Sequence, residues 1–195
     1  MNMVDLKDAL YDLVAEFYQG ASVIWTEQTS VKPPYPYITL KTNGMQKTSF
    51  PVSDDNGGRA YPSSTMLELN LYTKGMAVQT GDMQTNNTIN TAVPDLADFV
   101  LYLESDEIVD TLADKNISVE LQGQIRDLSE LQNDKSYRYR SFAEFTVSFM
   151  LNAIGAYGIS SMDPKINSSG GGNEEKADMP GYEIEAVDIS EERKE

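Results

Sequence analysis

The side chains of this sequence that could do chemistry are mainly carboxylates, and one dense polar group lies in residues 53–63, SDDNGGRAYPS. Asp54, Asp55 and Asn56, followed by Gly57, offer hard oxygen ligands in a turn, which is the chemistry of a calcium-binding loop. An EF-hand, however, needs acidic or amide residues at alternate positions, then Gly, and a glutamate that closes the loop, and this spacing is absent. We therefore interpret the segment as a solvated turn.

Histidine and cysteine are both absent from the 195 residues. Their absence removes the commonest general base near neutral pH, the thiolate nucleophile and the ligands that most zinc sites use. Gly170-Gly171-Gly172 lacks the preceding strand, the following helix and the Lys-Ser/Thr pair of a phosphate loop. The sequence therefore predicts a protein that is not an enzyme and has no cofactor. A carboxylate-based hydrolase that uses Asp54 or Asp55 is the enzymatic alternative.

The formal net charge is −16, from 31 acidic and 15 basic side chains. A surface that grips nucleic acid needs an excess of basic residues to neutralise phosphates. This composition instead favours solubility and the repulsion of polyanions, although a local basic strip stays possible. Residues 173–195 hold nine acids and three bases, a net charge of −6, which leaves −10 for residues 1–172.

Two arginines and one tryptophan are candidates for contacts between subunits. Arg138 and Arg140 share one face of a long C-terminal strand, and they could contact DNA phosphates. Arginine more often pairs with a carboxylate of the same chain or of a neighbouring subunit, and we favour that role because acids are abundant here. Trp25, the only tryptophan, either anchors the core or contacts a neighbouring subunit, where tryptophan is enriched.

The elements that must position these side chains begin with an amphipathic helix over residues 3–19, which Gly20 ends. Residues 23–25 form a strand or a buried loop segment, and residues 37–42 alternate as a strand. Asn43-Gly44 is a two-residue turn signal, which predicts a hairpin that returns through Met45 to Val52. Residues 53–63 are a polar loop, and the following STMLELNLYT alternates with three leucines on one face.

The second half of the domain is predicted to contain helices followed by two strands. Residues from Gly81 onward have a helical composition that Pro94 interrupts or kinks. Ser105 is a candidate N-cap for the next helix, and Gly123 is a candidate bulge in the first closing strand. The order of these elements predicts an α+β fold, in which an antiparallel sheet is flanked by helices.

The character of the chain changes past residue 158. We predict a domain over residues 1–158 and, over residues 159–195, a Ser/Gly linker with an acidic C-terminal extension. This extension is either a free tail or an arm that docks on a neighbouring subunit through Tyr182 and Ile184. No run approaches the ~20 apolar residues that cross a bilayer, and the N-terminus lacks the basic start of a signal peptide. We expect a protein that is made in the cytosol and does not associate with membranes.

Two short motifs, VIWTEQ at residues 23–28 and PPYPYITL at residues 33–40, carry a family resemblance. They resemble a family of tailed-phage neck terminator proteins, in which a short helix leads to V-I-x-x-x-Q and a proline-bearing loop leads to P-Y-x-T at the start of a strand. The matching residues are Val23, Ile24 and Gln28 in the first motif and Pro36, Tyr37 and Thr39 in the second. With the element order, the resemblance covers about residues 1–155.

This resemblance implies a tail-terminator-like fold and a structural virion protein at the phage neck. It implies a homohexameric ring that caps the tail tube, and the sheath if the tail contracts, and that joins the tail to the head connector. The partners would be other copies of the chain, the tail tube protein and the head-completion protein, assembled in the host cytoplasm. Genomic DNA would pass through the lumen without specific binding, and a negatively charged lumen wall would permit that passage by repulsion.

Two alternatives to a terminator stay open at this point. One is another ring component of the same particle, a tail tube or head-completion protein, which would also assemble as a ring. A tube protein would in addition polymerise into long tubes. An acidic protein that mimics DNA would need regularly spaced carboxylates on one surface, whereas here the acids are concentrated in the C-terminal extension and on helix faces.

Overall fold

A computed structural model of the chain describes residues 1–28, 32–53, 59–78, 88–132 and 136–152. The boundary predicted at residue 158 lies outside these residues. The elements of the described part, in chain order, are α1 (Met3–Phe17), β1 (Ser22–Trp25), β2 (Tyr37–Lys47), β3 (Val52–Ser53), β4 (Arg59–Thr73), β5 (Met76–Ala77), β6 (Thr88–Ile89), α2 (Ala92–Leu103), α3 (Asp106–Asp114), β7 (Ile117–Asp127), β8 (Glu130–Gln132) and β9 (Ser136–Asn152).

One mostly antiparallel sheet dominates the domain, with the strand order β1-β2-β4-β9-β7. The two short strands β3 and β8 pair with β4 and β9 respectively, and β5 and β6 form a separate two-stranded sheet. Among the described strands, β1 alone runs parallel to its neighbour, which is β2. The three helices contribute to the apolar core on one face of the sheet. The predicted α+β class, with an antiparallel sheet and flanking helices, is therefore confirmed.

Helix α1 lies where the apolar spacing predicts it, although it ends at Phe17 rather than at residue 19. Its first turn is a capping box: the Asn2 side chain accepts hydrogen bonds from the backbone N–H groups of Val4 and Asp5, at 2.8 and 2.9 Å. The Asp5 carboxylate in turn accepts from the Asn2 N–H at 2.9 Å. This arrangement satisfies N–H groups that have no partner within the helix.

The core is built from alternate residues of the long strands and from the apolar stripes of the helices. Leu67, Leu69 and Leu71 of β4 are buried, as the alternation predicts. They lie opposite Phe145, Ala143 and Ser141 of β9, in that order. The side chains of α1, α2 and α3 that complete this core are Leu6, Leu10, Val14, Leu96, Phe99, Leu103, Ile108 and Leu112.

The hairpin predicted at Asn43-Gly44 is wrong, because β2 continues through both residues to Lys47. Gly44 has a φ of 44°, and the register with β4 shifts between Asn43 and Met45. The Thr65 hydroxyl of β4 donates to the Gly44 carbonyl at 2.6 Å. A glycine with positive φ can form a β-bulge as well as a turn, and here the pairing with the long strand β4 favours the bulge. The predicted loop is also shorter, since β4 already begins at Arg59.

Of the two roles predicted for Pro94, an interruption or a kink of the helical pattern, the kink is wrong. Helix α2 begins at Ala92, so Pro94 lies in its first turn, where a missing N–H costs no helical hydrogen bond. Ser105 is the N-cap residue of α3, as predicted, but its hydroxyl donates to the Tyr102 carbonyl at 2.7 Å instead of capping the helix. The predicted bulge at Gly123 is confirmed by a register shift between Gln122 and Arg126.

Among the described residues, no helix combines the length and the apolar character that crossing a bilayer requires.

Candidate functional site

The face of the sheet opposite the helices contains a row of side chains that pack on one another. Tyr37 of β2 lies directly opposite Tyr72 of β4, and Tyr72 lies opposite Arg140 of β9. Tyr37 is 4% exposed, Asn70 6% and Tyr72 8%. These side chains are therefore largely shielded from solvent within one chain.

Aromatic rings form the centre of this row. The rings of Tyr37 and Tyr72 are stacked, with their centroids 4.4 Å apart and an angle of 13° between their planes. Tyr35, which precedes β2, continues the series with its centroid 5.3 Å from that of Tyr37. Offset stacks of this kind contribute about 0.5–1.5 kcal/mol beyond the burial of their area.

Three cations surround these rings. The guanidinium carbons of Arg138 and Arg140 lie 5.0 and 5.5 Å from the Tyr72 ring centroid. The Lys32 Nζ lies 5.0 Å from the Tyr35 centroid and 5.8 Å from that of Tyr37. All four distances are within the ~6 Å at which a cation is attracted to an aromatic face. We name Lys32, Tyr35, Tyr37, Tyr72, Arg138 and Arg140 the cation–aromatic cluster.

The two arginines of the cluster have different polar partners. Arg138 Nη1 pairs with Oε1 of Glu130 at 3.1 Å, so its predicted pairing with a carboxylate is confirmed. Arg140 instead donates from Nε and Nη2 to Oδ1 of Asn70, at 3.1 and 2.8 Å. The Nε of Arg138 is buried and has no hydrogen-bond partner among the described residues. Arg138 is therefore incompletely paired within the described part of one chain.

Lys32, the third cation of the cluster, stays charged at neutral pH. The Lys32 Nζ lies 3.1 Å from the Tyr35 hydroxyl, and this hydrogen bond raises the pKa of Lys32. Burial raises the pKa of Tyr37, so this ring stays neutral. Among the described residues the cluster thus carries three positive charges, and the one carboxylate paired with it is that of Glu130.

We expect Arg140→Met to lower the free energy of unfolding by about 1–3 kcal/mol, the cost of leaving a buried polar group without its partner. The group left without a partner is the Asn70 amide, because both of its hydrogen bonds from Arg140 are lost. Methionine keeps much of the apolar stem, so the loss reports mainly on the guanidinium. Urea unfolding, followed by circular dichroism, measures the change.

Arg126→Met is the matched control on the neighbouring strand. Arg126 pairs with Glu144 at 3.2 Å, but its side chain is 53% exposed, and an exposed pair of this kind contributes about 0–1 kcal/mol. Equal losses in the two variants would mean that the Arg140–Asn70 contact is no stronger than a surface ion pair.

The two family-motif segments form the parallel edge of the sheet beside this cluster. Val23 and Ile24 of β1 lie opposite Ile38 and Thr39 of β2. The Ser22 N–H donates to the Pro36 carbonyl at 3.3 Å. Gln28 Oε1 accepts a hydrogen bond from the Trp25 N–H at 3.2 Å. Tyr37 thus belongs both to the second motif and to the cation–aromatic cluster.

Trp25 is 8% exposed and lies in the hydrophobic core, with the Lys7 Nζ 4.8 Å from its ring centroid. Its role as a core anchor is therefore observed, and a contact with a neighbouring subunit stays a prediction. Tyr182, Ile184, Asp54 and Asp55 lie outside the described residues. Within the described part of the chain, no three acidic side chains come together in a way that could hold a metal ion.

Sequence reasoning identifies Arg138 and Arg140 but misses Lys32, Tyr35 and Tyr72. The segment KPPYPY places a lysine beside two tyrosines, which is a usable signal for a cation–aromatic contact. Tyr72 gives no such signal, because it lies 68 residues from Arg140 in the sequence and meets it only through the register of β4 with β9. The assembled cluster can bind carboxylates through its cations, whereas the rings of Tyr37 and Tyr72 are buried and not open to a partner.

Comparison with known proteins gives one finding. A family model described as phage neck terminator protein matches residues 4–172, which include nearly all of the described domain. No curated protein matches the chain.

Proposed function

Because the chain belongs to the phage neck terminator protein family, and so has a structural role at the phage neck, we propose that its copies close into a ring there. This ring ends the growth of the tail tube and joins the tail to the head connector. The observation that carries the proposal is the family match over residues 4–172, because it includes both the sheet and the helices that pack on it.

The partners in this proposal are six copies of the chain, the tail tube protein, the head-completion or connector protein and, in a contractile tail, the sheath. A cyclic ring repeats one heterologous interface, in which two different surfaces of the chain meet, until the ring closes. Genomic DNA passes through the lumen without specific binding. A wall of net negative charge would repel the phosphates, and the net charge of −16 supports such a wall. A basic lumen in a reconstructed particle would contradict this part of the proposal.

A stop codon at Gln19 in the phage genome tests the role in the particle. It leaves only α1 and removes the sheet, so we expect tails of excessive and variable length that are not joined to heads in electron micrographs. The intact gene, supplied in trans, should restore tails of uniform length, and a synonymous codon at Gln19 is the control. Tails of normal length that are joined to heads would contradict the proposal.

Mass photometry of the purified chain tests ring formation separately. We expect a species at six times the 21.7 kDa of one chain, either alone or after purified tail tubes are added. A monomer under both conditions would contradict the ring.

A further inference from the structure

We propose that the cation–aromatic cluster of one copy binds the acidic outer face of α3 in the next copy around the ring. This inference rests on the proposed function, because it names the two surfaces that would form the repeated interface.

The cluster has the chemistry of a carboxylate-binding surface. Lys32 is exposed, and the side chain of Arg138 is 22% exposed. Glu130, the carboxylate paired with Arg138, is itself 59% exposed and can be displaced or joined by others at little cost. Arginine and lysine suit a partner that presents several carboxylates, and the half-buried Tyr35 ring can meet an apolar group beside them.

Helix α3 presents such a surface. Ile108 and Leu112 pack in the core, and the opposite side of the helix is exposed. Asp106, Asp110 and Asp114 follow one another at intervals of four residues, so they lie along one stripe. All acids of the helix, Asp106, Glu107, Asp110 and Asp114, are exposed, and none pairs with a cation among the described residues. Val109, which is 50% exposed, supplies an apolar group on this side.

The positions of the two surfaces allow a contact that repeats around a ring. The outer strands of the sheet are β1 and β7. The cluster extends from the segment before β2, across Tyr72 of β4, to Arg138 and Arg140 of β9, whereas α3 packs on β7 at one edge of the sheet. The two surfaces are therefore different parts of the domain. A contact between two different surfaces is the heterologous type that closes rings.

Helix α1 is also acidic, but its charge pattern makes it the weaker candidate. Asp5, Asp8, Asp12 and Glu16 recur along it at intervals of three or four residues. Asp5, however, already accepts a hydrogen bond from the Asn2 N–H, and Lys7 adds a cation to α1. Helix α3 contains no basic residue, so it presents the more uniformly negative surface.

Charge reversal on α3 in the full-length chain tests the inference. We expect Glu107→Lys with Asp110→Lys to weaken ring assembly by at least about tenfold, because lysines would then face the cations of the cluster. Asp8→Lys with Asp12→Lys on α1 is the matched control: it changes the net charge equally on exposed positions, and we expect assembly close to wild type. Mass photometry over a dilution series measures both.

Exchanging the charges of the two surfaces tests whether assembly can be restored. We expect Lys32→Glu with Arg138→Glu to weaken assembly on its own, and to restore it when combined in one chain with Glu107→Lys and Asp110→Lys. Thermal unfolding by circular dichroism checks that each variant folds. If the cluster variant does not fold, the comparison of the α3 and α1 variants decides the question alone.

The inference is overturned if the α3 variant assembles like the wild type, or if the α1 variant is weakened as much. A wild-type chain that forms no ring, alone or on tail tubes, would instead contradict the proposed function. The two failures are therefore distinguishable, because the first occurs in a chain whose wild type does assemble.

Discussion

Replacing Phe145 with alanine is expected to lower the free energy of unfolding by about 3–5 kcal/mol, the usual cost of truncating a buried phenylalanine. Phe145 is fully buried. It lies opposite Leu67 of β4 on one side and Leu121 of β7 on the other, and its ring meets that of Phe99 edge-to-face at 6.2 Å. The change would therefore leave a cavity between the sheet and α2. Domains are stable by only about 5–15 kcal/mol in total, so this loss is a large fraction.

Urea unfolding, followed by the fluorescence of Trp25, measures this change. Leu101→Ala on the exposed side of α2 is the control, since Leu101 is 65% exposed and surface changes of this kind usually stay within about 0.5 kcal/mol. If the two variants lose equal stability, Phe145 is not the centre of the core.

Gly75→Ala is expected to lower the free energy of unfolding by about 2–5 kcal/mol, which makes it the second large effect. Gly75 has a φ of 73°, a left-handed conformation that costs other residues about 1–2 kcal/mol. A Cβ atom there would clash with the Ile89 carbonyl oxygen and would lie 2.5 Å from the Tyr139 ring. Relieving such overpacking costs a further ~1–3 kcal/mol.

Gly20→Ala separates the two contributions. Gly20 also has a positive φ, of 86°, but a Cβ atom there would meet nothing within 4 Å, so this variant carries only the conformational cost. The difference between the two variants in urea unfolding then measures the clash at Gly75, and we expect it to be at least ~1 kcal/mol. An equal loss of unfolding free energy in the two variants would show that Tyr139 and the β5–β6 sheet move aside freely.

The Gly75 result also bears on the cation–aromatic cluster. The Tyr139 hydroxyl is 2.7 Å from that of Thr88 in β6, so the β5–β6 sheet is held against β9 at this point. Tyr139 stands between Arg138 and Arg140 in the sequence, and a shift of its backbone would move both guanidinium groups. Gly75→Ala is therefore also expected to weaken ring assembly, if the cluster forms the interface.

Local periodicity made much of the fold predictable. The apolar spacing of α1 and the alternation of β4 and β9 each follow from one element and its burial on one side. A sequence motif that is compatible with two different local structures was a less reliable predictor. Asn43-Gly44 fits a tight turn and also a bulge, and Pro94 fits a kink and also the first turn of a helix. In both cases the neighbouring strand or the helix boundary decided between them.

The sequence by itself determined that no histidine or cysteine chemistry is available, that the charge is strongly negative, and that an α+β domain carries the VIWTEQ and PPYPYITL motifs. Only the tertiary structure decided that Tyr37, Tyr72 and Arg140 form one row, although they are far apart along the chain. The physical reason is register: a shift of one residue between strands would move a side chain to the opposite face of the sheet. That register depends on pairing along the whole length of β2, β4 and β9, which no local pattern specifies.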